Sequence, residues 1–284
     1  MQAFERVDVF KRALFSVRDY REKTIVIKYG GSAMGREGQE DTLIEDIVLL
    51  KNSGINIVLV HGGGKKISEV SQKLGITPKF VNGLRVTDEQ TVEVVEMVLS
   101  GQINKKIVSQ INRCGGKAVG LSGKDGGLFT AEKDLSNGDI GFVGRIKSVN
   151  AKILDILSRE GYICVVSPVT SGEDGRTYNI NADTAAGEIA AGLGAEKLIL
   201  LTDVEGVYED RSGKTSLIRS LKTERALELI KRGVIDGGMI PKIMCCVEAV
   251  KRGVKKAQIV DGRVPHAVLL ALFDEDGVGT TIEK

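Results

Sequence analysis

The chain has 284 residues, 42% of them hydrophobic, with 40 basic residues against 38 acidic ones and a net charge of +2. That length can bury a substantial core as one large domain or two lobes. With no block of either sign, the charge pattern argues against a nucleic-acid or membrane-surface partner. The charges spread through the first twenty residues are unlike a signal peptide and no apolar stretch reaches spanning length, so a soluble, cytoplasmic protein is expected.

In chain order, a helix is expected first, carrying the stripe Phe4, Val7, Phe10, Leu14 and Val17. Two apolar strands follow, Thr24-Ile25-Val26-Ile27 and Ile57-Val58-Leu59-Val60. Each runs into glycine: Lys28-Tyr29-Gly30-Gly31 after the first, His61-Gly62-Gly63-Gly64-Lys65 after the second. Strands that deliver backbone without side chains to one sheet edge, with lysines beside it, suit phosphate, because glycine lets main-chain N–H groups approach an anion closely. The alternation of strand, turn and helix implies an α/β fold with a parallel sheet covered on both faces. A long helix is expected over 88–114, opened by the capping box Thr87 and Gln90 and closed by Gly115-Gly116. Residues 117–149 read as short strands and hairpins, followed by a helix capped by Asn150. After the strand Tyr162 to Val166, the turn Ser171-Gly172-Glu173-Asp174-Gly175 reads as the seam between two lobes. The alternation then resumes: helices from Asp183, over 223–232, 239–252 and 265–273, and strands around Leu198–Leu201, Ala257–Val260 and Thr280–Ile282.

Two histidines, His61 and His266, leave few candidates for a histidine base. Cys114, Cys164, Cys245 and Cys246 lack metal-site spacing and are expected to be buried thiols. The glycine turns match neither common nucleotide signature. Ile67 stands where the dinucleotide fingerprint needs its last glycine, and no segment fits the G-x-x-x-x-G-K-[ST] loop. A nicotinamide-dependent dehydrogenase is therefore disfavoured.

Six blocks carry a more specific pattern: Ile27 to Met34, His61 to Gly64, Asn82 to Asp88, Tyr178 to Asp183, Leu200 to Val207, and Gly237 to Lys242. In this order they resemble the amino-acid kinase family nearly end to end, and most closely the branch that acts on N-acetyl-L-glutamate. The resemblance implies a three-layer αβα sandwich with an open, mainly parallel central sheet of carbamate kinase-like type. It divides the chain into an oligomerisation helix (1–22), a lobe for acetylglutamate binding and dimerisation (23–175) and an ATP-binding lobe (176–284). The implied reaction is phosphorylation of the side-chain carboxylate of N-acetyl-L-glutamate, the second step of arginine synthesis by the acetylated route. ATP is the donor, carrying Mg²⁺ with no metal ligands from the protein.

On that resemblance Lys28 and Lys242 stabilise the transferring phosphoryl and Asp183 orients them. Gly63, Gly64, Arg85 and Asn179 bind the acceptor, and Gly30, Gly31, Gly62, Thr202, Asp203, Gly206 and Val207 hold the nucleotide and its phosphates. An ionised carboxylate needs no base, so alignment and charge neutralisation are the enzyme's task. The bland alternatives are a solvated strand end for Lys28, a surface helix residue for Lys242, a helix-start acid for Asp183, a surface ion pair for Arg85 and turn residues for Asn179 and the glycines. Other readings kept open are a kinase of aspartate or carrier-bound aminoadipate, and a non-catalytic arginine or nucleotide sensor. The resemblance further implies a homodimer, a hexamer joined through the N-terminal helices and inhibition by arginine. Ala271, however, stands where arginine-sensitive members carry glutamate, and a nitrogen-signalling protein partner stays unidentified.

Overall fold

The computed structural model describes residues 11, 14–30, 42–209, 216–274 and 277–284. The first helix, α1, is seen over residues 14–20, so Phe4, Val7 and Phe10 lie outside the described residues. Then come β1 (Thr24–Tyr29), α2 (Thr42–Asn52), β2 (Asn56–His61), α3 (Gly64–Lys73) and the short strands β3 (Phe80–Val81) and β4 (Leu84–Arg85). α4 (Glu89–Glu96) and α5 (Asn104–Arg113) precede β5 (Ala118–Ser122), β6 (Phe129–Lys133), β7 (Val143–Val149), α6 (Lys152–Arg159), β8 (Ile163–Ser167), β9 (Val169–Ser171) and β10 (Thr177–Ile180). The chain closes with α7 (Ala182–Gly192), β11 (Lys197–Thr202), β12 (Ser220–Lys222), α8 (Thr223–Lys231), α9 (Met239–Lys251), β13 (Lys256–Asp261), α10 (Ala267–Phe273) and β14 (Thr280–Glu283).

One eight-stranded sheet, ordered β12-β14-β13-β11-β1-β2-β8-β5, forms the middle layer. Every pairing in it is parallel except β13 with β14. β1 and β2 are buried along almost their whole length, which accounts for their unbroken apolar runs. Side chains alternate between the two faces of each strand. Ile25, Ile27, Tyr29, Ile57 and Leu59 pack with α2, α5 and α10 on one face. Val26, Val58, Val60, Leu198 and Leu200 pack with α6, α7, α8 and α9 on the other. Lys28 has the parity of Val26 and therefore points toward α7 and α9. The expected three-layer αβα arrangement is what these two clusters build.

A four-stranded sheet, β6-β7-β10-β9, and the hairpin β3-β4 stand apart from the main sheet. The turn 171–175 closes the hairpin β9–β10, where Thr177 pairs with Ser171, and β10 also pairs with β7. The boundary expected at 175/176 thus falls inside a hairpin, while the central sheet runs unbroken through both halves of the chain.

The long helix differs from expectation in two ways. Its cap is Asp88, whose carboxylate accepts from the Thr91 N–H at 2.8 Å. Thr87 is instead fully buried and donates to the Arg85 carbonyl. Between α4 and α5, residues Met97–Ile103 form seven residues of π-helix, a wider winding often found beside functional sites. Gly115, at φ 84°, ends α5, and Gly116 donates back to the Ile111 carbonyl as a C-terminal cap should. α6 starts one residue later than Asn150 would set it, with Ala151 as cap, although the Asn150 side chain still accepts from the Lys152 N–H at 3.3 Å. Cys164 and Cys246 are buried and Cys245 partly so, but Cys114 is exposed because it caps α5 on its solvent side.

The cap assignment has a direct test. Asp88→Ala should lower stability by roughly 1 kcal/mol in denaturant unfolding, while Gln90→Ala should be near neutral; the reverse order would restore the capping box.

Candidate active site

The two glycine turns meet because their strands are in register. Lys28 pairs with Val60 and Tyr29 with His61, so both chains enter glycine at the same level of the sheet. A side chain on Gly30 would come within 3.2 Å of the Gly62 nitrogen, and one on Gly63 within 2.4 Å of Ile103 and 2.6 Å of Leu99. Close approach of backbone to backbone, and of backbone to the π-helical segment, is what these glycines permit. Gly64 opens α3, whose cap Gly63 offers no side chain to its free N–H groups. Those donors are left for an anion. Gly31 lies outside the described residues.

His61 locks the second turn. Burial pushes its imidazole down to about 4, against a smaller upward effect of the Gly62 carbonyl, so the ring is neutral at physiological pH. Its hydrogen bonds assign the tautomer: Nδ1–H donates to the Gly62 carbonyl at 3.0 Å, and Nε2 accepts from Asn104 at 3.3 Å. Asn104 also donates to the Val165 carbonyl at 2.9 Å, tying the start of α5 to the ends of β2 and β8.

On the opposite face of β1 from Tyr29, three charged groups converge. Lys28 Nζ lies 2.9 Å from one oxygen of Asp183, and Lys242 Nζ lies 2.8 Å from the other. Asp183 sits in the first turn of α7, where Asn181 caps the helix by accepting from the N–H groups of Asp183 and Thr184. Lys242 reaches it from the first turn of α9, where Pro241 withholds no helical donor. Asp183 is only 9% exposed. Burial alone would raise its carboxyl, but the ammonium groups of Lys28 and Lys242 outweigh that and hold it below the usual carboxylate range. The trio carries a net charge of +1 at a sheet edge where strand ends face outward, the usual place for a ligand in an open α/β sheet.

Arg85 stands on the acceptor side. Its Nη2 donates to the Gly64 carbonyl and to Ser68 Oγ, both at 2.8 Å, and Phe80 lies over the guanidinium with 4.8 Å between Cζ and the ring centre. Its Nη1 is buried and has no partner among the described residues. Burial pushes the guanidinium down from its ordinary value, so an anion at Nη1 would remove an unmet donor and offset the cost of burying charge. Asn179 on β10 is joined to this corner through Thr87, at 3.5 Å between Nδ2 and Oγ1.

On the donor side a cavity of about 500 Å³ opens beside Lys242. Val204, Val207, Val234, Ile235 and Met239 give it apolar walls, with Asp203 and Gly206 at the turn after β11. That volume and lining suit a nucleoside. Thr202 stands behind the wall: its hydroxyl donates within its own turn to the Val204 carbonyl at 3.0 Å. Gly206 is held at φ +153°, where a side chain would meet Thr280 Oγ1 at 2.6 Å, and the same hydroxyl accepts from the Val207 N–H at 2.8 Å.

The structure thus brings together Lys28, Asp183, Lys242, Gly30 and Gly62 to Gly64, flanked by Arg85 and Asn179 on one side and by Asp203, Gly206 and Val207 on the other. Sequence reading did not single out Ser68, Asn104 or the wall residues Val234 and Ile235. Ser68 and Asn104 lie at ordinary helical positions, and the wall residues sit in hydrophobic stretches indistinguishable from core.

A family model described as the amino acid kinase family matches residues 23–261. The chain belongs to that family. Among the relatives of this amino-acid kinase, the acetylglutamate kinase of Caldanaerobacter subterraneus subsp. tengcongensis is 57% identical over 279 residues, covering 98% of this chain and 93% of the relative. The acetylglutamate kinase of Nostoc punctiforme is 53% identical over 277 residues, with the same shares of both chains. Among solved structures, the N-acetylglutamate synthase of Neisseria gonorrhoeae complexed with coenzyme A and N-acetyl-glutamate matches with a TM-score of 0.85 at 28% identity. The match covers 98% of this amino-acid kinase and 63% of the synthase chain. The carbamate kinase of Giardia lamblia bound to AMP-PNP, at 18% identity and a TM-score of 0.68 over 92% of this chain and 98% of that one, shares the fold.

The charged trio makes a pH prediction. A carboxyl held low in the folded state contributes stability above its unfolded pKa, near 3.9, and loses it as pH falls through the lower folded value. Asp183→Asn should therefore be less stable than the parent at neutral pH, and the gap between their unfolding midpoints should shrink below about pH 4. A gap that stays constant or widens with acid would show that the ion pairs do not set the Asp183 carboxyl.

Proposed function

We propose that this amino-acid kinase transfers the γ-phosphoryl group of ATP to the side-chain carboxylate of N-acetyl-L-glutamate, giving N-acetyl-L-glutamyl 5-phosphate and ADP. This is the second step of arginine biosynthesis by the acetylated route. The observation that carries the reading is the pair of lysines held on one buried aspartate between an unfilled helix start and a nucleoside-sized cavity. The high identity to acetylglutamate kinases along almost the whole chain supports the same substrate.

The roles follow from charge and position. Arg85 Nη1 and the Asn179 amide would take the α-carboxylate and the N-acetyl group, while Gly63 and Gly64 present backbone donors to the reacting carboxylate. The cavity beyond Lys242 would hold the adenosine, with Asp203, Gly206 and Val207 at its wall and Thr202 shaping the turn behind them. Gly30, Gly31 and Gly62 would face the phosphates. Mg²⁺ would arrive on the nucleotide and offset the charge of its phosphates. The carboxylate is already the nucleophile, so no base is required and His61 stays neutral. Lys28 and Lys242 would approach the migrating charge from two sides, each ammonium able to follow it with three donors. Asp183 keeps both lysines in place before either anion arrives. In this scheme residues 23–175 mainly serve the acceptor, joined by Asn179 on β10, and the remainder of 176–284 mainly serves the donor.

The substrate is tested by trapping acyl phosphate with hydroxylamine across N-acetylglutamate, glutamate, aspartate and aminoadipate. Hydroxamate should form above background with N-acetylglutamate, and a preference for another acid would overturn the reading. Lys242→Ala should reduce kcat roughly 10²- to 10³-fold while ATP binding persists.

We further propose a homodimer, and a hexamer assembled through α1, where Leu14 and Phe15 are exposed on the described part of the helix. A second cavity, about 290 Å³, lies where α1 meets the strand end of Lys197 and the helix α10. Ser16, Asp19, Tyr20, Lys23, Glu196 and Lys197 line it, and it is the place proposed for inhibitory arginine. Lys197 donates there to the Ala271 carbonyl at 2.6 Å. Light scattering that finds only dimers would remove the hexamer, and a rate unchanged by millimolar arginine would remove the inhibition.

A further inference from the structure

α7 and α9 touch at two successive levels. Asp183 and Gly187 are four residues apart on one face of α7, and Lys242 and Cys245 are three apart on one face of α9, so each pair points at the other helix. The first level is the Lys242–Asp183 ion pair at 2.8 Å. The second is Cys245 against Gly187. The Cys245 thiol donates to the Asp183 carbonyl at 3.0 Å, and a side chain on Gly187 would meet the Cys245 sulfur at 2.7 Å. A carbon and a sulfur do not pack at that distance, so a side chain at position 187 would oblige Cys245 to turn away from its bond to the Asp183 carbonyl or the two helices to part.

We propose that Gly187 and Cys245 are positioning residues for phosphoryl transfer: together they fix the separation of α7 and α9 at which Lys242 reaches Asp183 and the transferring group. The inference rests on the reading of Lys242 as a transition-state cation. The chemistry supports a spacer rather than a reactive thiol, since burial foremost, and the nearby Asp183 charge, push the Cys245 thiol up to about 12. Its contribution is size and one hydrogen bond to the backbone of the residue that orients the lysines. A lysine displaced by an ångström sits farther from Asp183 and no longer waits where charge develops.

The test uses the full-length protein and three variants. Gly187→Ala adds the methyl group that the sulfur excludes, Cys245→Leu presses from the other helix, and the double variant Gly187→Ala with Cys245→Ala returns the space. The single variants should lose about 10- to 100-fold in kcat with KM for ATP and N-acetylglutamate within about threefold, and the double variant should recover most of that loss. A carboxyl-labelled sample followed by ¹³C NMR should show Asp183 titrating at higher pH in Gly187→Ala than in the parent, because Lys242 has withdrawn. The proposal fails if a folded single variant keeps its kcat, if the double variant regains its melting temperature without regaining kcat, or if Asp183 titrates as in the parent. Should Gly187→Ala not fold, Cys245→Leu decides by the same two readouts. A parent protein inactive on every acid would refute the substrate reading, while the Asp183 titration would still decide the spacing.

Discussion

A single buried carboxylate with a lysine on each oxygen is the constraint around which the molecule is arranged. Asp183 could not remain ionised in its surroundings alone, because burying an unpaired carboxylate costs several kcal/mol or more. Two ammonium groups resolve that, and they must come from different parts of the chain, since one strand end cannot supply both. Lys28 arrives from the centre of the sheet and Lys242 from a helix lying across it. The sheet order, the side-chain parity of β1 and the close approach of α7 to α9 are each needed to bring them together. The arrangement is electrostatically incomplete in a useful sense: one negative charge holds two positive ones, and the excess faces the place where two anions have to meet.

The other parts of the site share that incompleteness. Among the described residues, the start of α3 has no side-chain cap, and Arg85 spends one amino group on the protein while the other has no partner. Unmet donors inside a folded protein are expensive, and a group of them on one rim is understandable when a ligand is to satisfy them. His61 sits among these positive groups without adding to them, because burial keeps it neutral. Its value is mechanical, holding the peptide of Gly62 while Asn104 ties it to the neighbouring strand.

Much of this was legible in the amino-acid order because strands and glycine turns carry strong local signals. The apolar runs 24–27 and 57–60 declare buried parallel strands, which the structure extends to Thr24–Tyr29 and Asn56–His61. Asp183 after Asn181 reads as a helix start on capping chemistry alone, while its partnership with two lysines rested on resemblance to a family. Thr87 resembles a cap by type and spacing, but the neighbouring Asp88 has the better acceptor, and Thr87 is taken by a buried contact. The π-helical turn at Met97–Ile103 leaves no mark in apolar periodicity, since Val92, Val95, Leu99 and Ile107 are buried as a regular helix would bury them. Thr202 shows the limit of motif reading: it lies in the right segment, yet its hydroxyl is used to shape the turn. Cys114 was placed inside by residue type, whereas its position at the end of α5 places it outside.

The order of the central sheet also bears on how the chain is made. β1 lies in the middle, yet one of its two neighbours is β11, with Ile25 paired to Lys197. β2 is available soon after β1 emerges from the ribosome, but the other edge of β1 stays unpaired until most of the chain has been synthesised. During that interval a nearly all-apolar strand presents open backbone groups, the kind of edge that invites pairing with another chain. Lys242 follows β11 in the chain, so the Lys28–Asp183–Lys242 cluster can be completed only after the strand that closes this seam has been made.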